Sequence, residues 1–327
     1  MEYTLLGKTG IKVSRICLGT MTFGYILEEK ESRVLIERAI ELGINFFDTA
    51  NVYGGGRSEE ILGAALQDRR DKVVIASKVF WSRRQPQAEG LSRSFVLKEL
   101  ADSLERLQTD YIDIYYAHRY DPNVSVDNVL RTFNRAIDDG KVRHIGASTM
   151  HAWELAKSFW VADRLGLEPF QIVQPLYNLL YREEERELFG LCQDQKIAVA
   201  PWAPLAQGVL TGKYSREGLP DTPRAKGLDL QHWFLREQDF VIVDRVAEVA
   251  QEKGVSPAQI ALAWVLSKAV ITTPIVGVTK MEHLEQAVEA IEIDLSEEEV
   301  VYLEEMYQPR ELVGHYGGQP MTGDRQE

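Results

Sequence analysis

The fold this sequence predicts is a closed (β/α)8 TIM barrel, on three observations. Short apolar runs rich in Val, Ile, Phe and Tyr alternate with longer amphipathic stretches along the chain. Such an alternation implies buried parallel strands covered by helices, and eight units of it fit a barrel best. The turn after the first run, Gly19-Thr20-Met21-Thr22-Phe23-Gly24, lacks the glycine spacing that a doubly wound open sheet would need there.

The strands are expected at Ile16–Leu18, Asn45–Asp48, Val73–Lys78, Ile112–His118, His144–Ser148, Gln171–Gln174, Ile197–Trp202 and Thr273–Gly277. Helical periodicity places the covering helices at Ser32–Leu42, Ser58–Gln67, Ser92–Leu107, Val126–Asp138, Ala152–Leu165, Glu183–Asp194, Asp239–Glu252 and Met281–Ile291. Thr4–Val13 reads as a hairpin turning at Lys8-Thr9-Gly10 and plugging the barrel floor. Val255–Ser267 is an additional helix with Ser256 as N-cap and Pro257 at its first position. Ser296–Met306 is another, opened by a Ser296–Glu299 capping box. Ser215–Arg236 has no clear period and reads as a long loop, of the kind that is usually functional or mobile. No shift in composition marks a second domain, so residues 1–327 are expected to form one.

With 327 residues, 45% of them hydrophobic, the chain can fill a large core. Its net charge of −13 argues against nucleic acid or anionic membrane as partners. Cys17 and Cys192 sit in apolar surroundings and are expected to be buried free thiols, with neither a disulfide framework nor a metal motif. The first residues lack a basic region followed by an apolar core, and no run is long enough to span a membrane. A cytoplasmic protein is expected; a homo-oligomer is left open.

In a barrel the functional site lies at the carboxyl ends of the strands. Here successive apolar runs stop at Asp48, Lys78, His118, Ser148-Thr149 and Gln174. Each has an ordinary explanation alone. Asp48 could cap the next helix, Lys78 could be a surface lysine, and His118 could be a packed, hydrogen-bonded core residue. Tyr53, in Asn51-Val52-Tyr53-Gly54, could be a loop aromatic. Their coincidence at one mouth favours a shared task, and the task these groups can share is proton transfer. A free tyrosine has a pKa of about 10, and an ammonium beside a phenol favours its ionised form. Lys78 can supply that charge, Asp48 can hold Lys78 in place, and His118 can donate to the same substrate oxygen. That is a general acid suited to a developing alkoxide. With no nucleophile or metal in the set, the hydride must come from a cofactor.

With these residues placed, the sequence resembles the aldo-keto reductase superfamily. The matching segments are Gly43-Ile44-Asn45-Phe46-Phe47-Asp48-Thr49-Ala50-Asn51-Val52-Tyr53-Gly54, Ser58-Glu59-Glu60-Ile61-Leu62-Gly63, Lys78 and Ser103 to Asp113. They continue through His118, Gly140-Lys141-Val142-Arg143-His144-Ile145-Gly146-Ala147-Ser148 and Pro204 to Tyr214. The resemblance implies NADP(H) or NAD(H) extended across the barrel mouth and hydride transfer to a carbonyl carbon. It implies Tyr53 as proton donor, tuned by Asp48 and Lys78, with His118 orienting the carbonyl. It assigns Ser148 and Gln174 to the nicotinamide amide and Trp202 to the nicotinamide ring. In a subset that includes the potassium-channel β subunits, the ring partner is likewise tryptophan. Pro204, Leu205, Gln207, Gly208, Leu210 and Lys213 are implied for the pyrophosphate and ribose. Gly19, Thr20, Met21, Asp48, Thr149, Gly277, Thr279, Lys280, His283 and Gln286 complete the cofactor set.

Two departures stand out. Thr149 occupies a position where asparagine is common, and Ala287 cannot hydrogen-bond through its side chain. Lys213, Lys280 and His283 are the cations available to a 2′-phosphate, which favours NADP(H) without excluding NAD(H). Phe23, Tyr25, Trp81, Arg119, Tyr120 and Trp233 are candidate substrate liners. Arg119 could meet an anionic group or pair with Asp121. The expected activity is reduction of an aldehyde or ketone. The alternative is a nucleotide-binding redox sensor or regulatory subunit with slow turnover. A metal-dependent hydrolase would want clustered ligands, and a glycosidase a pair of carboxylates flanking the site; neither pattern is present.

Overall fold

A computed structural model of the chain describes residues 1–82, 89–214 and 234–313. The expected loop over Ser215–Arg236 falls almost wholly outside the described residues, as does Trp233. A two-stranded antiparallel hairpin, β1 (Tyr3–Leu5) and β2 (Lys12–Ser14), comes first. There follow β3 (Cys17–Gly19), α1 (Glu29–Glu41), β4 (Phe46–Asp48), α2 (Arg57–Leu66), β5 (Val74–Val79), α3 (Arg93–Leu107), β6 (Ile112–Ala117), α4 (Val126–Asp138) and β7 (Val142–Ser148). Next are α5 (Ala152–Leu165), β8 (Ile172–Gln174), α6 (Leu188–Gln195), β9 (Ala198–Val199), α7 (Glu237–Lys253) and α8 (Pro257–Ser267). The last elements are β10 (Ile275–Gly277), α9 (Met281–Glu289) and α10 (Glu297–Glu304).

Strands β3 to β10 form one eight-stranded parallel sheet in the order β10-β3-β4-β5-β6-β7-β8-β9. Bonds from Thr272 N to Val199 O (2.9 Å) and from Ile275 N to Pro201 O (2.9 Å) join its two ends, so the sheet closes into the expected barrel. Period-two alternation sorts the strand residues into two cores. Cys17, Phe46, Val74, Ala76, Ile114, Tyr116, Ile172, Ala198 and Ile275 fill the interior. Phe47, Ile75, Tyr115, Ile145 and Val173 face the helices. Leu6, Ile11 and Val13 of the hairpin pack into the interior cluster, so the hairpin plugs the floor as expected. Gly146 leaves space for the inward Tyr116 ring, since a Cβ there would lie 2.5 Å from two ring carbons.

The two capping boxes stand where the sequence places them: Ser256 accepts from Gln259 N, and Ser296 accepts from Glu299 N. Both cysteines are free and buried. Several boundaries differ. Helix α1 starts earlier than Ser32, because a Glu28–Glu31 box opens a charged first turn that hydrophobic periodicity does not register. Strands β9 and β10 are shorter than expected, because Pro201 and Pro274 have no N–H to give a ladder. Glu183–Glu185 is a 3-10 turn and not the start of α6. There Glu183 Oε1 accepts from Tyr307 Oη (2.6 Å) and Arg310 N (2.9 Å), which ties the segment to the chain after α10. No helix among the described residues is long and apolar enough to cross a membrane.

Helices α2 and α3 approach closely at Gly63, where a Cβ would lie 2.4 Å from the Leu107 carbonyl carbon and oxygen. Gly63→Ala therefore sets a helix-propensity gain of about 1 kcal/mol against a backbone collision. The collision is expected to win, with a net loss of about 2 kcal/mol in urea unfolding. A variant as stable as the parent would show that the helices part without cost.

Candidate active site

The strand ends bring the candidate residues together because they share the parity of the interior residues. Asp48 follows inward Phe46, Lys78 follows Val74 and Ala76, and His118 follows Ile114 and Tyr116. Ser148 and Gln174 are paired directly across β7 and β8. Tyr53 arrives differently, on the turn Tyr53–Gly56, whose glycines at 54, 55 and 56 take φ of 56°, 65° and 95°. A Cβ on Gly54 would lie 2.9 Å from Phe23 O, so the tight turn requires glycine there.

Lys78 is fully buried, and its ammonium is matched by three oxygens. It donates to Asp48 Oδ1 at 2.5 Å, to Thr49 O at 2.7 Å and to Tyr53 Oη at 3.2 Å. Gln174 Nε2 donates to the other Asp48 oxygen at 2.8 Å. Burial raises the Asp48 carboxyl, opposed by Lys78 and by the Gln174 amide. Burial likewise works against the Lys78 charge, but Asp48 and then Tyr53 outweigh it, and the lysine is held protonated above its usual range. Two donors converge on Asp48, which is the arrangement a carboxylate requires.

Beside this centre, Trp81 sets its ring edge-on to His118, with centroids 4.8 Å apart, and Tyr53 does so at 6.1 Å. Burial, then the charges of Arg119 and Lys78, hold His118 well below its ordinary pKa, so it is a neutral imidazole at physiological pH. Its Nδ1 has no hydrogen-bond partner among the described residues, so the flanking rings fix its orientation. Arg119 stacks over Trp81 at 5.1 Å and donates to His118 O at 2.6 Å.

These groups open into a cavity of about 650 Å³. Of the expected cofactor set, Gly19, Thr20, Met21, Asp48, Ser148, Gln174, Trp202, Pro204, Leu205, Gln207, Gly208, Lys213, Gly277, Thr279, His283 and Gln286 lie on its wall. Three do not. The Leu210 side chain is fully buried in the outer core. Lys280 is the exposed N-cap of α9. Thr149 is buried beside the wall, where its Oγ1 accepts from Trp202 Nε1 at 3.1 Å. Its φ of 50° puts a β-branched residue in the left-handed region, which asparagine enters more easily.

The substrate expectations need more correction. Trp81 and Arg119 are on the wall. Phe23 is wholly buried in the core, Tyr25 is 67% exposed and off the wall, and Tyr120 packs against Trp153 with centroids 5.8 Å apart. Arg119 does not pair with Asp121, whose oxygens accept from Leu91 N and Asn123 N. The sequence reading missed Ala258 and Leu262, which lie on the wall one helical turn apart on α8 and look in sequence like ordinary core positions.

A dinucleotide fits what is present. Ala203, Ala206, Gln207 and Gly208 all take positive φ, a strained run of the kind that clusters at ligand sites. The buried Gln207 Oε1 has no partner among the described residues. A Cβ on Gly277 would meet only Gly19 O, at 4.0 Å, so the missing side chain leaves cavity space.

The model of the Aldo/keto reductase family matches residues 15–308. The chain is 38% identical to the versiconal hemiacetal acetate reductase of Aspergillus parasiticus, over 95% of this chain and 98% of that protein. It is 38% identical to a putative aryl-alcohol dehydrogenase of Schizosaccharomyces pombe, over 95% and 97%. It is 36% identical to a probable voltage-gated potassium channel subunit beta of Oryza sativa, over 90% and 92%. Members of this family generally reduce small carbonyl compounds with nicotinamide cofactors. The chain is an oxidoreductase that belongs to the aldo/keto reductase family.

Proposed function

We propose that this chain reduces an aldehyde or ketone to its alcohol with Tyr53 as the proton donor. The observation that carries this reading is the Lys78 ammonium, buried without exposure and aimed at both Asp48 and Tyr53 Oη. A nicotinamide bound beside Trp202 supplies the hydride. Tyr53 gives its proton to the carbonyl oxygen, and Lys78 stabilises the phenolate left behind. Asp48 and Thr49 O keep Lys78 aimed. Neutral His118 donates one hydrogen bond to the same oxygen, so charge is stabilised as it develops.

On the cofactor side, Ser148 Oγ and Gln174 Oε1 are the groups that receive the carboxamide. The Gln174 nitrogen is committed to Asp48. Thr149 holds Trp202 through its hydroxyl. Gln207, Lys213, Thr279, His283 and Gln286 receive the phosphates and the adenosine end, with Lys213, His283 and the adjacent Lys280 selecting NADP(H) over NAD(H).

NADPH oxidation with 4-nitrobenzaldehyde tests the reaction. Tyr53→Phe and Lys78→Met are each expected to lower kcat by about 10³-fold or more, with NADPH affinity, read by fluorescence titration, changed by less than about threefold. If parent and Tyr53→Phe are equally inert while NADPH binds tightly, the chain is a slow redox sensor instead. Because His118 stays neutral, reduction is not expected to lose rate through an ionisation near pH 6.5. An acidic limb there in kcat/KM that disappears in His118→Asn would contradict its assignment. Lys280→Ala is expected to weaken NADPH several-fold more than NADH, and equal weakening of both removes Lys280 from the 2′-phosphate site.

A further inference from the structure

Arg119 is the charged group on the cavity wall whose charge the proposed mechanism leaves unused. It follows His118 directly at the end of β6, and its guanidinium lies over the Trp81 ring. No carboxylate pairs with it among the described residues. The nearby acids are committed elsewhere: Asp48 to Lys78 and Gln174, Asp121 to Leu91 N and Asn123 N, and Glu99 to the Asn51 amide. Its hydrogen bond to His118 O uses one of five donor hydrogens. Burial lowers its pKa to about 10, against the opposing pull of Tyr53, and it remains a cation at neutral pH.

A partly desolvated cation with idle donors, in a chain of net charge −13, is costly unless something completes it. The cofactor is badly placed to do so. Its anionic phosphates and adenosine end are read onto residues that follow β9 and β10, whereas Trp81 and Arg119 follow β5 and β6, across the barrel from them. On the β5–β6 side stand Tyr53 and His118, the groups that meet the carbonyl oxygen. We propose that Arg119 receives a carboxylate of the substrate, so that the site takes oxo-acids: aldehydes or ketones bearing an anionic carboxyl group a few bonds from the reacting carbonyl. Trp81 supports the plane of the guanidinium, leaving its edge to form paired hydrogen bonds. This inference rests on the carbonyl-reductase reading of the same cavity.

The test compares 3- and 4-carboxybenzaldehyde with their methyl esters, which keep the ring and remove the charge. In the parent, kcat/KM for at least one acid is expected to exceed that of its ester by tenfold or more. In Arg119→Met the acid-to-ester ratio is expected to fall at least tenfold, and Arg119→Lys should restore part of it. The ratio is the readout because Arg119 also acts on His118, so that both absolute rates can change. NADPH titration of each variant checks that the fold persists. A parent that prefers neither acid, or a ratio untouched in Arg119→Met, overturns the proposal. If no aldehyde is reduced at all, the reductase reading fails by itself. Calorimetry with 3-(hydroxymethyl)benzoate and its methyl ester then decides the anion site. Acid binding at least tenfold tighter than ester, lost in Arg119→Met, supports it, and equal binding of acid and ester overturns it.

Discussion

The buried pair of Lys78 and Asp48 is the constraint on which the rest of the mouth depends. Removing two charges from water costs several kcal/mol per ion, and the attraction between them repays this only if every remaining donor and acceptor is satisfied. Here they are satisfied, and the pair with its partners is drawn from four separate places. Lys78 comes from β5 and Asp48 from β4, Thr49 O and Tyr53 Oη from the turn beyond β4, and the Gln174 amide from β8. Strands β4 and β8 are far apart in sequence and in the sheet order. Closure of the barrel brings Gln174 of β8 within reach of Asp48 of β4 across the lumen. The ion pair and barrel closure are thus one problem with one solution.

A second set of buried polar groups holds this arrangement from outside. On the outward face of β5, Ser77 donates to Glu59 on α2, and Glu59 accepts from Arg106 on α3 at 2.7 Å. Arg106 and Glu59 are themselves buried, so they lock β5 against two helices. The turn that carries Tyr53 is pinned on both sides. Thr49 and Thr20 share the Ser58 hydroxyl, and Asn51 donates to Trp81 O and to Glu99, each at 2.8 Å. Tyr53 therefore sits on a glycine-rich turn with little freedom, as a proton donor must be held. Its position depends on four hydroxyl and amide side chains, those of Thr20, Thr49, Asn51 and Ser58.

These two layers explain which parts of the molecule were legible in the sequence. Strand-end residues were, because period-two alternation assigns Asp48, Lys78, His118 and Gln174 to the interior once the neighbouring apolar residues are assigned. The capping boxes at Ser256 and Ser296 and the floor plug were legible for a similar reason, since each is a local rule. The aromatic wall was not. Phe23, Tyr25, Trp81 and Tyr120 all sit in loops after strands, where no period decides between core, solvent and cavity; one is core, one exposed, one on the wall and one packed on Trp153. Ala258 and Leu262 failed in the opposite direction. An apolar helix face reads the same whether it meets a core or a ligand.

The same logic explains Thr149. In sequence it is a weakened substitute for asparagine at a cofactor contact. In the structure it adopts a left-handed backbone that a β-branched residue resists, at a cost of about 1–3 kcal/mol, and spends its hydroxyl on the Trp202 indole. A strained residue persists only where its surroundings over-determine it. Here they do: the Thr149 amide is bound to Gln174 O, and the preceding Ser148 hydroxyl to the same oxygen. Gln174 therefore links the two halves of the site. Its side chain steadies the carboxylate that holds Lys78, and its carbonyl fixes the turn that holds Trp202. A displacement of β8 would move the proton-delivering groups and the aromatic wall together, which keeps both in register with whatever lies between them.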